Sequence, residues 1–256
     1  QVKKNHVEVS ERRLSKEELE QFEGAKQKEI KNYILAKVFA KVPLEQRPDA
    51  DQVLKMRWVL TWKIDPETEA RKAKARAVIL GYQDPLYETR PTASPTMTRA
   101  TRQLFLTMCA AKKFLVEKGD VSGAFLQGRD CKDNIHVQPL KEICAALDLP
   151  EGSITHLTKA AYGLVQAPLE WYLTVDEFLR SLGFERQKSD PCAWSLFDKD
   201  NEPIAYICGH VDDFLFGGRE SDPRWHQIKA KIKERFQWGQ WESKQFTQCG
   251  VDIAQN

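Results

Sequence analysis

Three observations predict an α+β fold. Strand-like runs rich in β-branched and aromatic residues alternate with amphipathic helical segments along the 256 residues. Hydrophobic residues make up 41%, ample for a packed core. Gly, Pro and Asp-Pro punctuation separates the segments at short intervals. The length suits one large or two small domains.

Residues 1–13 are polar. Ser15-Lys-Glu-Glu18 forms a capping box, with Ser15 as N-cap and Glu18 reaching back. Leu19, Phe22, Lys26, Ile30, Tyr33, Ile34, Lys37 and Val38 follow at mostly helical spacing, and Pro43 and Pro48 stop that helix. Gln52 to Lys63 and Lys72 to Gly81 predict two strands, joined by a turn at Asp65-Pro-Glu-Thr68. Ser94 then Pro95 predict an N-cap and first helical position. That helix runs to about Lys113, with Leu104, Phe105, Met108 and Cys109 toward a core. Residues 114–121 form a strand. Ile135 to Pro139 predicts an edge strand that ends at its proline. Pro168 opens a helix to about Leu182, with Trp171, Tyr172, Val175, Phe178, Leu179 and Leu182 on its inner face. Residues 192–198 and 203–208 are strands. Asp222-Pro223 starts a helix to about Phe236, whose Lys229, Lys233 and Arg235 are expected to face water. Residues 245–254 form a last strand.

Lys and Arg number 39 against 37 acids, a net charge of +2. A strongly basic balance, which suggests nucleic acid by itself, is absent, so any such affinity rests on local patches. Lys63, Arg71, Lys72, Lys74 and Arg76 form the densest one. Six cysteines, at 109, 131, 144, 192, 208 and 249, make no C-x-x-C pattern, and no signal-peptide pattern precedes them. Reduced thiols in an intracellular protein, cytoplasmic or nuclear, are expected. Cys208 and His210 make an incomplete zinc set. No apolar run approaches membrane-spanning length.

The chemistry concentrates in Tyr206-Ile-Cys-Gly-His-Val-Asp-Asp-Phe-Leu-Phe-Gly-Gly218. Strand formers flank Asp212-Asp213, which predicts a hairpin with the acids at its turn. Asp-Asp is also an ordinary turn dipeptide. For the pair alone the turn is the commoner reading; a divalent cation with oxygen ligands is the other, and upstream context favours it. Asp120 ends a second strand-like run. One carboxylate from a first strand and a pair from a later hairpin suit two magnesium ions about 3.5–4 Å apart and in-line phosphoryl transfer.

Ala160-Ala-Tyr-Gly-Leu-Val-Gln-Ala-Pro-Leu-Glu-Trp-Tyr172 resembles the L-Y-G-L-K-Q-A-P-R-x-W-Y segment of reverse transcriptases from copia-type LTR retrotransposons. Asp120 to Gly128 resembles that family's D-V-K-x-A-F-L-x-G, and His210-Val-Asp-Asp213 its Y-V-D-D. Arg57 to Lys63 and Lys74-Ala-Arg76 resemble its fingers elements, and Ser189-Asp190-Pro191 and Gly250-Val251 follow in the family's order. The resemblance runs from about Arg57 to the end, and weakly back to residue 14. It implies a right-hand polymerase with fingers and palm, an antiparallel palm sheet backed by helices, and the thumb missing. The implied divisions are an N-terminal helical extension over 1–50, fingers over 51–91 and 128–162, and palm over 92–127 and 163–256.

The resemblance also assigns roles. Asp120, Asp212 and Asp213 are the implied catalytic acids. With the Val121 carbonyl they would hold two Mg2+ ions, Mn2+ being the alternative. Lys74 and Arg76 would bind the triphosphate, Arg by its planar fork and Lys as a point charge. Phe125 would lie under the incoming sugar and exclude a 2′-hydroxyl. Tyr162, Gly163 and Gln166 would line the floor beneath the templating base pair. His210, Gly250 and Val251 would meet the primer end. The implied partners are an RNA or DNA template with its primer, deoxynucleoside triphosphates, and the RNase H and integrase domains of a polyprotein, which this stretch lacks. No membrane partner is implied. Three positions depart from the pattern: His210 replaces Tyr, Val165 a frequent Lys, and Leu80 a frequent Arg. A weak or inactive element remnant that only binds nucleic acid is therefore the second reading. A structural or protein-interaction domain using the N-terminal helix is the third.

Overall fold

The computed structural model describes residues 8–64 and 70–255. The turn expected at Asp65 to Thr68 lies outside them. In chain order the helices and strands are α1 (Lys16–Leu35), β1 (Phe39–Lys41), β2 (Val53–Ile64), β3 (Arg71–Ile79), α2 (Arg99–Lys112) and β4 (Leu115–Val121). Then come β5 (His136–Gln138), α3 (Lys141–Ala146), β6 (Thr155–Leu157), α4 (Ala167–Ser181), β7 (Glu185–Arg186) and β8 (Ala193–Phe197). The remainder are β9 (Pro203–His210), β10 (Asp213–Gly218), α5 (Pro223–Arg235), β11 (Trp238–Ser243), β12 (Gln245–Gln248) and β13 (Val251–Ala254). The chain is α+β. It divides into two compact units, Gln1–Pro91 with Gly128–Ala167, and Thr92–Gln127 with Pro168–Asn256.

The first unit holds a five-stranded sheet in the order β1-β6-β5-β2-β3. β3 is its edge, and α1 covers that edge. The Tyr33 hydroxyl donates to the Ala77 carbonyl at 2.6 Å and Glu29 accepts from the Ala77 amide at 3.3 Å, so polar groups that an open edge would expose are bonded. Phe22 packs with Leu60 and Ala75 beneath the helix. Both arms of the Ser15–Glu18 capping box form. The helix stops at Leu35, well before the prolines, because Ala36 caps it and Lys37 turns to φ 52°. Val38 is buried, beyond the helix rather than on it. β5 is no edge strand. It lies between β6 and β2 and pairs with β2 in parallel, so Pro139 falls just past the last paired residue.

The second unit holds a six-stranded antiparallel sheet in the order β11-β4-β10-β9-β8-β7 and a small β12-β13 hairpin. α2, α4 and α5 supply core residues against it. Ser94 is not the cap of α2. Its hydroxyl donates to the Pro168 carbonyl at 3.1 Å, and Thr98 caps instead by accepting from the Thr101 amide. The later start leaves Leu104 exposed while Phe105 and Cys109 are buried. The expected single strand over 245–254 is a hairpin, because Cys249 and Gly250 both take positive φ and reverse the chain. β11 was not foreseen. Its Trp-Gly-Gln-Trp-Glu-Ser pattern carries little alternation, and a bulge between Trp238 and Trp241 breaks its register.

Candidate active site

Hairpin β9-β10 and its neighbour β4 build the acidic end of the second unit. Asp213 is the register partner of Asp120 on β4 and of His210 on β9. Directly opposed residues share a face, so these three side chains stand together. Val211 and Asp212 form the tight turn, with Val211 at φ 60°. Two bonds hold that conformation: the Trp171 indole donates to the Val211 carbonyl at 2.5 Å, and the Val121 amide donates to the Asp212 carbonyl at 2.8 Å. Asp212 is thereby tied to the strand end that carries Asp120 and Val121. Gly239, in the bulge of β11, packs on the same strand end, since a Cβ there would sit 3.1 Å from Ser122 Oγ and 3.9 Å from Asp120 Oδ1.

The electrostatics of this corner are unbalanced. Burial, with the charges of Asp120 and Asp212, raises the Asp213 carboxyl from 3.8 to about 6, against the opposing pull of Lys118. Asp213 Oδ1 is buried and has no hydrogen-bond partner. The Cys249 thiol lies 4.0 Å from its Oδ2, so the Cys249-Gly250 turn of β12-β13 stands beside the acid, with Val251 next in the chain. Lys118 and Cys249 were not singled out from sequence. Lys118 was readable, because it stands two residues before Asp120 and so shares its face. Nothing local points from Cys249 to Asp213, 36 residues away. Phe125 occupies the short 3-10 turn Ala124–Gln127, half-buried against the core of this unit.

The other predicted residues belong to the first unit. Lys74 and Arg76 lie two apart on β3, on the face opposite Ala75 and Ala77. The Arg76 guanidinium lies over the Tyr162 ring at 5.5 Å. Gly163, at φ 96°, crosses the end of β3 so closely that a Cβ would collide with the Ile79 carbonyl, and the Ile79 amide donates to the Tyr162 carbonyl at 2.8 Å. Gln166 is 2% exposed, and its Nε2 donates to Asp133 at 3.1 Å.

The acidic corner fits a divalent cation. Among the described residues no group of three or more His, Cys, Asp or Glu is placed to hold a metal ion. Magnesium does not require one, since it is held by one or two carboxylates with substrate phosphates and water filling the rest. A partnerless carboxylate oxygen beside a second carboxylate supplies such a donor set.

Residues 37–256 match the family described as reverse transcriptase (RNA-dependent DNA polymerase). The retrovirus-related Pol polyprotein from transposon TNT 1-94 of Nicotiana tabacum is 29% identical over 199 residues, 74% of this chain and 14% of that polyprotein. The corresponding polyprotein from transposon RE1 of Arabidopsis thaliana is 31% identical over 191 residues, 74% of this chain and 13% of the relative. The chain thus spans a small part of these relatives. A foamy viral protease–reverse transcriptase solved in complex with double-stranded DNA aligns over 91% of this chain and 34% of its own, at 13% identity and a TM-score of 0.49. The match from residue 37 onward shows that this chain belongs to the reverse transcriptase family, among those of copia-type retrotransposon Pol polyproteins.

Proposed function

We propose that this chain adds deoxynucleotides to the 3′-hydroxyl of a primer paired to an RNA or DNA template, the second unit acting as palm and the first as fingers. The observation that carries the reading is the cross-strand pair Asp120–Asp213, with Asp212 in the adjoining turn and one buried carboxylate oxygen left without a partner. Two magnesium ions would supply activation of the primer hydroxyl and neutralisation of the triphosphate charge. Asp120, Asp212 and the Val121 carbonyl would hold them, with Asp213 as the weaker contact. Lys74 and Arg76 would orient the phosphates. Tyr162 and Gly163 would give the base pair a flat floor, and the Arg76–Tyr162 stack supports that pairing of roles. Phe125 would set sugar selectivity. His210 and the Gly250-Val251 turn would steady the primer end.

The test is primer extension on a primed RNA template with wild type and Asp212→Asn. Wild type extends, and the variant loses activity by on the order of 10³-fold or more. Equal extension by both would sink the assignment of Asp212. A weak or inactive copy is favoured by one observation: His210, in place of the family's tyrosine, stands directly across from Asp213. That second reading predicts retained primer–template binding with no extension, and recovery of extension in His210→Tyr.

A further inference from the structure

Strands β12 and β13 form a separate two-stranded sheet, and a hairpin of that size is marginal without anchors. At its open end Gln255 supplies them: the Val116 amide donates to Gln255 Oε1 at 2.9 Å, and Gln255 Nε2 donates to the Phe114 carbonyl at 2.7 Å. At its turn, two cations from different elements hold adjacent carbonyls. Lys118 of β4 donates from Nζ to the Thr247 carbonyl at 2.8 Å. Arg102 of α2 donates from Nη1 to the Gln248 carbonyl at 3.2 Å and to Gln248 Oε1 at 3.3 Å. The next residues, Cys249 and Gly250, carry the positive φ angles of the turn, and the Cys249 thiol lies 4.0 Å from Asp213 Oδ2.

Arg102 is the informative member. It is 6% exposed, and Gln248 is fully buried. Among the described residues no carboxylate pairs with Arg102, and its Nε is buried without a partner. A buried guanidinium without a counter-charge is costly, and an apolar side chain would pack α2 as well or better. Its side-chain hydrogen bonds all go to Gln248, so what the charge secures is the residue that leads into the turn. We propose that Arg102 and Lys118 are positioning residues, a two-sided clamp that fixes the Cys249-Gly250 turn beside Asp213 and so fixes where a primer 3′ end meets the acids. The inference rests on the polymerase reading and on the turn's place at the primer end. Each cation acts through a carbonyl of β12 rather than on the reacting atoms. A fixed turn holds a paired terminus in line and rejects a displaced one, whereas a loose turn discriminates less.

Two readouts on the whole chain test the clamp. The first is alkylation of Cys249 by N-ethylmaleimide, located by peptide mass, since this thiol is exposed and Cys109, Cys144, Cys192 and Cys208 are buried. Saturating primer–template is expected to slow the alkylation about tenfold in wild type, but less than about twofold in Arg102→Met and Lys118→Met. The second is the single-turnover ratio of extension rates from matched and mismatched 3′ ends, in which the fraction of folded enzyme cancels. That ratio is expected to fall about tenfold in both variants and to recover to within about threefold of wild type in Arg102→Lys, which keeps a cation. Arg102→Met is expected to melt within about 4 °C of wild type, because an unpaired buried charge gives way to an apolar chain. Lys118→Met carries both readouts should Arg102→Met fail to fold. Unchanged ratios, or Cys249 still protected in the variants, would overturn the clamp. Wild type that extends primers without protecting Cys249 would overturn the turn's place at the primer end, and the clamp with it, leaving the polymerase reading intact. Protection without extension would overturn the polymerase reading alone, and the loss or survival of protection in the variants would still decide the clamp. Neither binding nor extension by wild type would overturn both.

Discussion

Strands β4 and β10 carry two surfaces made of alternating residues, and the two are finished differently. On one, Phe214 and Phe216 meet Trp171, Phe236, Trp238 and Trp241, with the Phe216 and Trp241 rings stacked at 4.7 Å. Gly119 and Gly218 belong to this surface. A Cβ at Gly119 would lie 2.8 Å from both Trp238 and Trp241, and one at Gly218 would collide with the Trp225 indole. Polar atoms here are paired: Glu117 accepts from Trp241 Nε1 at 2.9 Å and from Lys229 at 2.6 Å. On the other surface stand Asp120, Asp213 and His210, and nearby Asp213 Oδ1, Arg102 Nε and Gln248 Nε2 are buried without partners. One surface spends its residues on packing. The other gathers carboxylates around one buried oxygen that packing leaves without a partner, which the proposed cation site would use.

Breaking the packed surface should have the largest effect. Trp225 is fully buried on Gly218, donates to Glu220 at 3.3 Å and receives the Lys229 ammonium over its ring at 5.5 Å. Trp225→Ala is expected to destabilise the second unit by about 3–5 kcal/mol through cavity formation. Urea unfolding followed by circular dichroism measures it. A loss under about 1 kcal/mol would mean the aromatic surface collapses around the gap rather than supporting the sheet.

Changing the acidic surface should do the reverse to stability. The Asp213 carboxyl is raised from 3.8 to about 6, first by burial and then by Asp120 and Asp212. Its folded form therefore favours the proton. Stability linked to that proton is full below the unfolded value of 3.8 and is lost as pH rises through about 6. Asp213→Asn, measured in EDTA, should melt higher than wild type at pH 7.5, and the gain should vanish near pH 4. Magnesium should stabilise wild type more than the variant. A variant that melts lower at pH 7.5 would show that the carboxylate is supported by a partner.

The same contrast explains what sequence reasoning could reach. Local chemistry was legible: the Ser15–Glu18 box, the Asp222-Pro223 helix start, and Asp212-Asp213 between strands. The strand run ending at Asp120 and the Asp212-Asp213 hairpin made the three acids joint candidates, the family resemblance implied their roles, and the register pairs Asp120 with Asp213. Competition between neighbours was not legible. Ser94 and Thr98 both suit an N-cap, and the bond from Ser94 to Pro168 settled which one serves. Lys229 looked like a surface lysine on its helix, yet Glu117, 112 residues earlier, and Glu220 draw it in. In the Asp84–Arg90–Asp133–Gln166 chain only Asp84 and Arg90, six residues apart, are local; the links to Asp133 and Gln166 join separate loops and have no local signature.

A second aspartate sharpens the comparison with the smallest expected effect. Asp190 is 3% exposed, yet it is held below its ordinary 3.8. Burial pushes it up, but hydrogen bonds outweigh burial: the Thr101 hydroxyl donates at 2.5 Å, the Thr98 amide at 3.0 Å and the Cys192 amide at 2.9 Å. A lowered folded value has the opposite linkage to Asp213. Its stability is present above the unfolded 3.8 and is lost as pH falls through the folded value. Asp190→Asn should therefore cost about 2 kcal/mol at neutral pH, and the gap from wild type should close in acid. The Asp213→Asn gap should instead open as pH rises through about 6. Burial is common to both aspartates; donors hold Asp190 down, while the charges of Asp120 and Asp212 add to burial in raising Asp213. Melting curves of both variants from about pH 3 to 8 would test that rule, and parallel curves would defeat it.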